Sequence, residues 1–177
     1  MKITYLGHAG FAIEEGDTLL IVDPWLGHNG AFDRAWFQFP RNHHLLAGLL
    51  AKVRAARNVA LYVSHEHEDH FCRETLAALR PHSPTAIIAR YRAGDFAGLM
   101  RSCGFAGIRE LDDGEATEFH DLQVRVFIDE SGINRDSAIL VTDRHAANRD
   151  LGTTTRWSET GPRTRTASAG ASEPATT

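Results

Sequence analysis

Metal-binding and proton-transfer residues are concentrated in one short segment of the chain, which reads Ser-His-Glu-His-Glu-Asp-His at positions 64–70. It directly follows the apolar run Val-Ala-Leu-Tyr-Val, which is typical of a buried strand. His65 and His67 alternate, so in extended backbone their imidazoles point to the same side. Asp69 and His70 follow as the chain turns, and can face the same point from another side. Imidazole and carboxylate together suit zinc, iron or manganese, so the segment predicts a metal site rather than a solvated polar turn.

The elements that must position this segment alternate between strands and helices. Leu45, Leu49 and Val53 fall on one face of a predicted surface helix. The remaining predicted elements are strands over 2–6, 11–14, 18–22, 59–63, 85–89, 108–111, 116–119, 123–128 and 137–142, and helices over 73–80 and 93–102. Strands dominate both ends, with strand–helix alternation between them. This order predicts a layered α/β domain with outer helices.

Two further residues at predicted strand ends are candidates for the same site. Asp23 closes the third strand before Pro24, a pattern that terminates strands. A carboxylate there also suits the task of holding a ligand histidine in one tautomer, and we favour this interpretation because another strand end carries the metal motif. His8 lies in a turn of small residues between the first two strands, where it either faces the site or is a surface histidine.

The segment 27–42 is irregular and unusually rich in aromatic residues, namely Phe32, Trp36, Phe37 and Phe39. A long, glycine-containing aromatic loop forms either a lid or substrate wall, or a cover over an apolar sheet edge, and both interpretations stay open. His43 and His44 follow at a helix start. Because they are adjacent, we expect at most one of them to contact the site.

Composition limits the partners of the chain. Its 177 residues are 42% hydrophobic and 24% charged, as in a soluble globular domain. The net charge of −4, without a basic stripe, argues against nucleic acid, and no apolar run approaches the ~20 residues of a membrane helix. Cys72 and Cys103 are too few for a disulfide framework, and the first residues read as a strand instead of a signal peptide. We therefore expect a cytoplasmic protein with a small-molecule substrate and an oligomeric state that the sequence leaves open.

Composition changes abruptly after position 143. The last part of the chain consists mainly of Thr, Ser, Ala, Gly, Pro and Arg, and Trp157 is its one aromatic residue after position 150. Such a segment cannot offset its ordering entropy by burial. The sequence therefore predicts a folded domain over 1–143 and a low-complexity, disordered tail over 144–177.

The motif His65-x-His67-x-Asp69-His70 after a strand resembles the signature of the metallo-β-lactamase superfamily. Segments 3–11 and 21–26 are similar to the branch that includes L-ascorbate-6-phosphate lactonase and the N-acyl-phosphatidylethanolamine phospholipase. A closer likeness, to the metallo-β-lactamase-like part of CMP-N-acetylneuraminate hydroxylases, is carried by segments 36–45, 62–71 and 134–141.

The resemblance implies an αββα sandwich with the metal at one edge of two facing sheets. It implies that His65 and His67 belong to a first metal site, and Asp69 and His70 to a second. Members use a metal-bound hydroxide as nucleophile, because a divalent metal lowers the pKa of bound water towards ~7. Asp69 would be the catalytic residue that holds this water or accepts its proton. The expected cation is zinc, with iron or manganese as alternatives.

The chain departs from the family pattern in its second half. Members supply a histidine after a later strand, a bridging aspartate and a final histidine. Near the first of these places the chain reads Glu-Ser-Gly-Ile-Asn-Arg at 130–135, without a histidine. The candidates for replacement are His120, Asp129, Asp136 and His145. We therefore expect a sandwich that is incomplete in its second half, as after a C-terminal truncation.

Three functions are compatible with these observations. A metal-dependent hydrolase of esters, lactones or phosphoesters is supported by the histidine–aspartate cluster and by Asp23. An oxidoreductase component like the sialic-acid hydroxylases would need a Rieske centre, and Cys72 and Cys103 do not supply its repeated Cys-His pair. A truncated, non-catalytic remnant would bind metal weakly and expose an apolar sheet face.

Overall fold

A computed structural model describes residues 1–131 and 135–145 of the chain. Nearly all of the predicted tail at 144–177, including Trp157, lies outside the described residues. The strands are β1 (Lys2–Gly7), β2 (Gly10–Glu15), β3 (Thr18–Val22), β4 (Asn58–Val63), β5 (Thr85–Ala89), β6 (Ile108–Leu111), β7 (Ala116–Phe119), β8 (Leu122–Asp129) and β9 (Asp136–Asp143). The helices are α1 (Leu45–Ala55), α2 (Arg73–Leu79) and α3 (Phe96–Ser102), and a 3₁₀ turn over Arg80–His82 follows α2.

The larger sheet has six strands in the order β1-β2-β3-β4-β5-β6. β1, β2 and β3 form an antiparallel meander, whereas β3 to β6 run parallel. All five residues of β3 and the last four of β4 and of β5 are buried. Burial on both faces explains why these strands read as continuous apolar runs in the sequence.

The parallel strands are linked by α1, α2 and α3 in turn. Right-handed crossovers that advance in one direction place all three helices on the same face of the sheet. Its other face packs against the antiparallel sheet β7-β8-β9, as shown by the hydrogen bond between the Tyr62 hydroxyl on β4 and Ser137 Oγ on β9 (2.7 Å). The predicted α/β class is confirmed, and the described residues form the layers helix, sheet, sheet.

Element boundaries agree with the sequence analysis except at one helix. The helix predicted over 93–102 begins at Phe96, three residues later. Gly94 has a φ of +80°, which a helix cannot accommodate, and the Asp95 side chain accepts a hydrogen bond from Gly98 N (2.6 Å) as an N-cap. The glycine and the cap together therefore set the start of α3.

The core lies between the two sheets and beneath the helices. Leu20, Leu61 and Ile87 on the central strands are fully buried, as are Val124 and Val126 on the inner face of β8. On the outer face of the smaller sheet, Phe127 and Leu140 are 45% and 52% exposed. This outer face is partly apolar, as the incomplete sandwich predicts. No helix of the described part is long and apolar enough to cross a membrane.

Candidate metal centre

The candidate site lies at one edge of the larger sheet. β3 and β4 are parallel, so their carboxyl ends, which lead into Asp23 and Ser64, meet at this edge. β1 is antiparallel to β2 and therefore runs in the same direction as β3, so that His8 arrives there as well. The smaller sheet adds Asp136 from the first residue of β9. Residues distant in sequence thus converge because of strand direction.

Asp23 ties the two strand ends together. Its carboxylate accepts a hydrogen bond from Ser64 N (Oδ1, 2.7 Å) and lies 2.9 Å from His70 Nδ1 (Oδ2). Asp23 is only 3% exposed and has a φ of +37°, a backbone conformation that Asp and Asn tolerate better than other non-glycine residues. With Nδ1–H donated to Asp23, the lone pair of His70 is left on Nε2.

His70 Nε2 faces a compact cluster with Asp69 and His8. The His8 Nε2 atom lies 2.9 Å from Asp69 Oδ2 and 3.2 Å from His70 Nε2, and Asp69 Oδ2 lies 3.5 Å from His70 Nε2. One donor atom from each of the three residues fits within 4.8 Å of the others. Two imidazoles and a carboxylate at these separations can bind one divalent cation.

Asp69 provides the test of whether a cation fits. The residue is 5% exposed, and its Oδ1 atom is buried without a hydrogen-bond partner among the described residues. A buried carboxylate oxygen without a partner is costly, whereas a cation bound to it would satisfy it. The donor types and this acceptor therefore fit a divalent metal.

The second pair of predicted ligands lies beside this cluster. His65 Nε2 is 2.8 Å from His67 Nδ1, and the His65 and His70 ring centroids are 4.3 Å apart. Ser64 Oγ lies 3.0 Å from His65 Nδ1 and 3.1 Å from His70 Nδ1, so one buried hydroxyl bridges both histidines. The structure thus brings five predicted site residues together, namely Asp23, His65, His67, Asp69 and His70. His8, for which the sequence left two interpretations open, lies in the same site.

The two central histidines have opposite pKa shifts. For His65, burial together with the neighbouring charge of His70 lowers the pKa. For His70, burial also lowers the pKa, but the hydrogen bond and charge of Asp23, together with the charges of Asp69 and Asp136, outweigh it, so the net pKa is raised. A neutral His65 keeps a lone pair available for a metal.

Of the four replacement candidates from the second half of the chain, Asp136 alone is placed against the motif. Its Oδ1 atom lies 3.1 Å from His65 Nδ1, and its side chain is 62% exposed, at the open side of the site. Asp129 instead accepts hydrogen bonds from Ser131, and His145 lies against Asp121. His120 stacks edge-on against Phe119, away from the cluster.

A hydroxyl network fixes the backbone just before the motif. The Ser64 carbonyl accepts hydrogen bonds from Ser137 Oγ (2.8 Å) and from the Tyr91 hydroxyl. Tyr62 and Tyr91 also contact Ser137 Oγ, at 2.7 and 3.0 Å. Burial raises the pKa of Tyr91 to about 12, so its hydroxyl stays protonated and can donate. The smaller sheet therefore helps to position the start of the metal loop.

An ion pair holds the loop from the same side. Arg135 binds Glu66 through Nε (3.0 Å) and Nη2 (2.6 Å), and its guanidinium lies 5.0 Å from the Tyr91 ring centroid. Burial raises the pKa of Glu66, but the hydrogen bond and charge of Arg135, a backbone hydrogen bond and the neighbouring His65 together outweigh this, and the net pKa is lowered. Glu66 is thus engaged as a structural anion and is not directed at the cluster.

The aromatic segment lies beside the cluster, as the substrate-wall interpretation requires. The Trp25 and Trp36 rings contact His8 edge-on, with centroids at 5.6 and 5.4 Å. At the other end, Phe32 stacks on Trp36 and lies 6.2 Å from the His67 ring. His44 lines a cavity next to His8, whereas His43 stacks on His28.

Comparisons with known proteins agree with this architecture. The family described as "Beta-lactamase superfamily domain" matches residues 2–147. A protein from Mycobacterium tuberculosis that carries the name of a Rieske 2Fe-2S iron–sulfur protein is 31% identical over 150 residues, 81% of this chain and 28% of that protein. A protein named as a metal-dependent hydrolase from Brucella canis is 31% identical over 64% of this chain and 39% of its own length.

One further relative and one solved structure of similar fold extend the comparison. The cytidine monophosphate-N-acetylneuraminic acid hydroxylase of Asterias rubens is 37% identical over 48% of this chain and 12% of its own length. The crystal structure of CmlA, a diiron β-hydroxylase from Streptomyces venezuelae, superimposes with a TM-score of 0.59 at 22% identity, over 80% of this chain and 27% of that one. The chain thus spans less than half the length of each of these relatives. The match over residues 2–147, on the fold described above, shows that the chain belongs to the β-lactamase superfamily.

Proposed function

We propose that the chain is a metal-dependent hydrolase that cleaves an ester, a lactone or a phosphoester. The observation that carries the proposal is the cluster of His8, Asp69 and His70, in which Asp69 faces both histidines through Oδ2 and has a buried Oδ1 atom without a hydrogen-bond partner among the described residues. Burying a carboxylate oxygen without a hydrogen-bond partner is costly, and a bound cation would remove this cost. The name of the Brucella relative, a metal-dependent hydrolase, supports the same reading.

In this proposal His8, Asp69 and His70 hold one divalent cation, and His65 and His67 offer donors for a second. When bound, such a cation supplies a Lewis acid and lowers the pKa of a coordinated water towards ~7. Asp23 keeps the His70 proton on Nδ1 and its lone pair on Nε2. Asp69 would hold the attacking water or accept its proton, while His8, whose Nε2 atom lies 2.9 Å from Asp69 Oδ2, would keep the lone pair of that nitrogen for the cation.

Zinc is the cation we propose, and the cytoplasm is the proposed compartment. Imidazole-rich sites with a carboxylate suit zinc, and they also accept iron and manganese. Support for the compartment comes from Cys72 and Cys103, which are both free thiols, the state that reducing compartments maintain.

The test measures metal content and turnover on the purified full chain. Elemental mass spectrometry should find about one or two equivalents of zinc per chain, and a panel of aryl esters, lactones and aryl phosphodiesters should reveal hydrolysis. Asp69→Ala and His70→Ala should lose both metal and turnover, whereas the exposed His82→Ala should retain both. Folded protein that binds no metal after supplementation would refute the proposal and favour the non-catalytic remnant.

The alternative is an oxidoreductase component that uses iron. The names of the Mycobacterium tuberculosis and Asterias rubens relatives favour it. Both matches cover a minor part of those proteins, and the two cysteines of this chain cannot supply a Rieske centre. Bound iron, with oxygen consumption in place of hydrolysis, would select this alternative.

A further inference from the structure

A cavity of about 540 Å³ opens beside the metal centre, between β1 and the aromatic segment. This volume lies within the range of small-molecule sites, roughly 300–1,000 Å³. Fourteen of the described residues line it, among them the aromatic residues Tyr5, Trp25, Trp36, Phe37 and Phe39. Trp36 is 46% exposed and Phe39 fully exposed, so large aromatic surfaces stand open to a ligand.

The charge of the lining is one-sided. Among the described residues that line it, Arg41 carries a positive charge, His8 and His44 are basic, and there is no aspartate or glutamate, although the whole chain has a net charge of −4 with its histidines neutral. The Arg41 guanidinium lies 3.9 Å above the Phe37 ring and makes one long hydrogen bond to the His28 carbonyl (3.4 Å). Arg41 has no ion pair to a carboxylate in the described part of the chain. A cation presented on an aromatic wall, without a counter-ion, favours an anionic ligand.

The cavity wall is held in place before a ligand arrives. Gln38 Nε2 donates to the Trp25 carbonyl (2.8 Å), and Asn42 Nδ2 donates to the Leu6 and Trp25 carbonyls (2.7 and 3.0 Å). Gly7 has a φ of +110°, which favours glycine, and a Cβ atom there would lie 2.1 Å from Gln38 Oε1, so that the Gln38 side chain would have to leave its place in the wall. A preformed wall of this kind lowers the entropic cost of binding.

The cavity and the metal cluster share His8. Its ring contacts Trp36 on the cavity side, and its Nε2 atom contacts Asp69 and His70 on the cluster side. A molecule seated against Trp36 therefore places a neighbouring bond at the cluster.

We propose that this cavity selects substrates that combine a negative charge with a flat apolar group. The flat group packs on Trp36 and Tyr5, the anionic group binds Arg41, and the scissile bond lies at His8. The assignment of the scissile bond rests on the function proposed above, whereas the binding preference does not. The substrate class is thus an anionic ester, lactone or phosphoester with a ring or a comparably flat apolar part.

Calorimetric titration of the full chain with three non-hydrolysable probes tests the preference. 2-Naphthalenesulfonate carries both features, 2-naphthalenemethanol only the flat group, and methanesulfonate only the charge. We expect the first to bind at least about tenfold more tightly than either of the others. Arg41→Gln should reduce its affinity to that of the neutral probe, and Trp36→Ala should weaken both naphthalene probes.

Arg54→Gln, at an exposed arginine of α1 outside this cavity, is the matched control and should leave all three affinities unchanged. Equal binding of the charged and neutral naphthalene probes would overturn the proposal, as would no binding of either. An equal loss of affinity in Arg54→Gln would also overturn it. Since binding is measured without turnover, selective binding in a protein that hydrolyses nothing would contradict the hydrolase and leave the cavity preference standing.

Discussion

Replacing Asp23 with asparagine should weaken metal binding while leaving the fold intact. The carboxylate contacts Ser64 N at 2.7 Å and His70 Nδ1 at 2.9 Å. The side-chain oxygen of the asparagine can still accept the hydrogen bond from Ser64 N. Its NH₂ group then faces His70 Nδ1, so that two hydrogen-bond donors would meet there. The imidazole must accept there, which moves its own proton to Nε2, the atom directed at Asp69 and His8. Asparagine also tolerates the φ of +37° at this position, so the backbone is not strained.

The expected loss of metal affinity can be estimated because Asp23 is hydrogen-bonded to the His70 nitrogen that does not bind the metal. Losing such a partner typically costs about 10- to 100-fold in metal affinity, equivalent to roughly 1.4–2.7 kcal/mol. Asp23 is 3% exposed, so water cannot substitute for its acceptor oxygen. We therefore expect the Asp23→Asn variant to lie towards the upper end of this range.

Zinc affinity can be measured by competition with a fluorescent chelator, alongside circular dichroism of the metal-free protein. The control is Asp112→Asn, which removes an exposed carboxylate that pairs with Arg90 at 3.2 Å. It should leave the zinc affinity unchanged. A folded Asp23→Asn variant that binds zinc as tightly as the wild type would refute the conclusion that Asp23 fixes the tautomer of His70.

Three further predictions concern stability, measured by urea denaturation. Ser137→Ala removes one donor to the buried Ser64 carbonyl and should lower the free energy of unfolding by about 1–3 kcal/mol; no change would mean that the sheets are not coupled there. Leu20→Ala, in the fully buried β3, should lower the free energy of unfolding by about 2–5 kcal/mol. A decrease of less than about 1 kcal/mol would contradict the close packing of Leu20. Lys52→Met should cost about 0.5–1 kcal/mol at pH 7, because the hydrogen bond from Lys52 lowers the pKa of Glu14 below 4.5. Because the Glu14 pKa is lower in the folded than in the unfolded protein, the pair stabilises the fold at pH values above the unfolded-state pKa. The difference between Lys52→Met and the wild type should therefore vanish as the pH falls through the folded-state pKa of Glu14. A difference that does not change with pH would refute this assignment.

The fold was largely predictable because its central strands are buried on both faces. Such strands read as unbroken apolar runs, and the helices between them carry a one-sided apolar pattern. The start of α3 was missed because Gly94 and Asp95 determine it locally, within a segment that otherwise has helical composition. The motif at 64–70 was predictable for a different reason: its residues are close in sequence, so their spacing alone places them together.

His8 and Asp136 could not be assigned from the sequence, because their positions depend on pairing between distant segments. His8 reaches the cluster since β1 and β3 run in the same direction, two strands apart in the sheet order. Asp136 arrives from the other sheet, and its contact with His65 requires the packing of β9 across β4. A signal for His8 was present in the glycine-rich turn after β1, but the same turn suits a surface histidine equally well.

His8 also enlarges the compact donor set that the motif provides within the described residues. The motif supplies His65, His67, Asp69 and His70 from one strand end, and His8 adds an imidazole 2.9 Å from Asp69 Oδ2. Within the described residues, Asp69 thus has the imidazole nitrogens of both His8 and His70 beside it, without a ligand from the second half of the chain. Removing His8 separates the two interpretations: His8→Ala should lower zinc affinity if the set is complete, and should leave it unchanged if the cation depends on the motif alone.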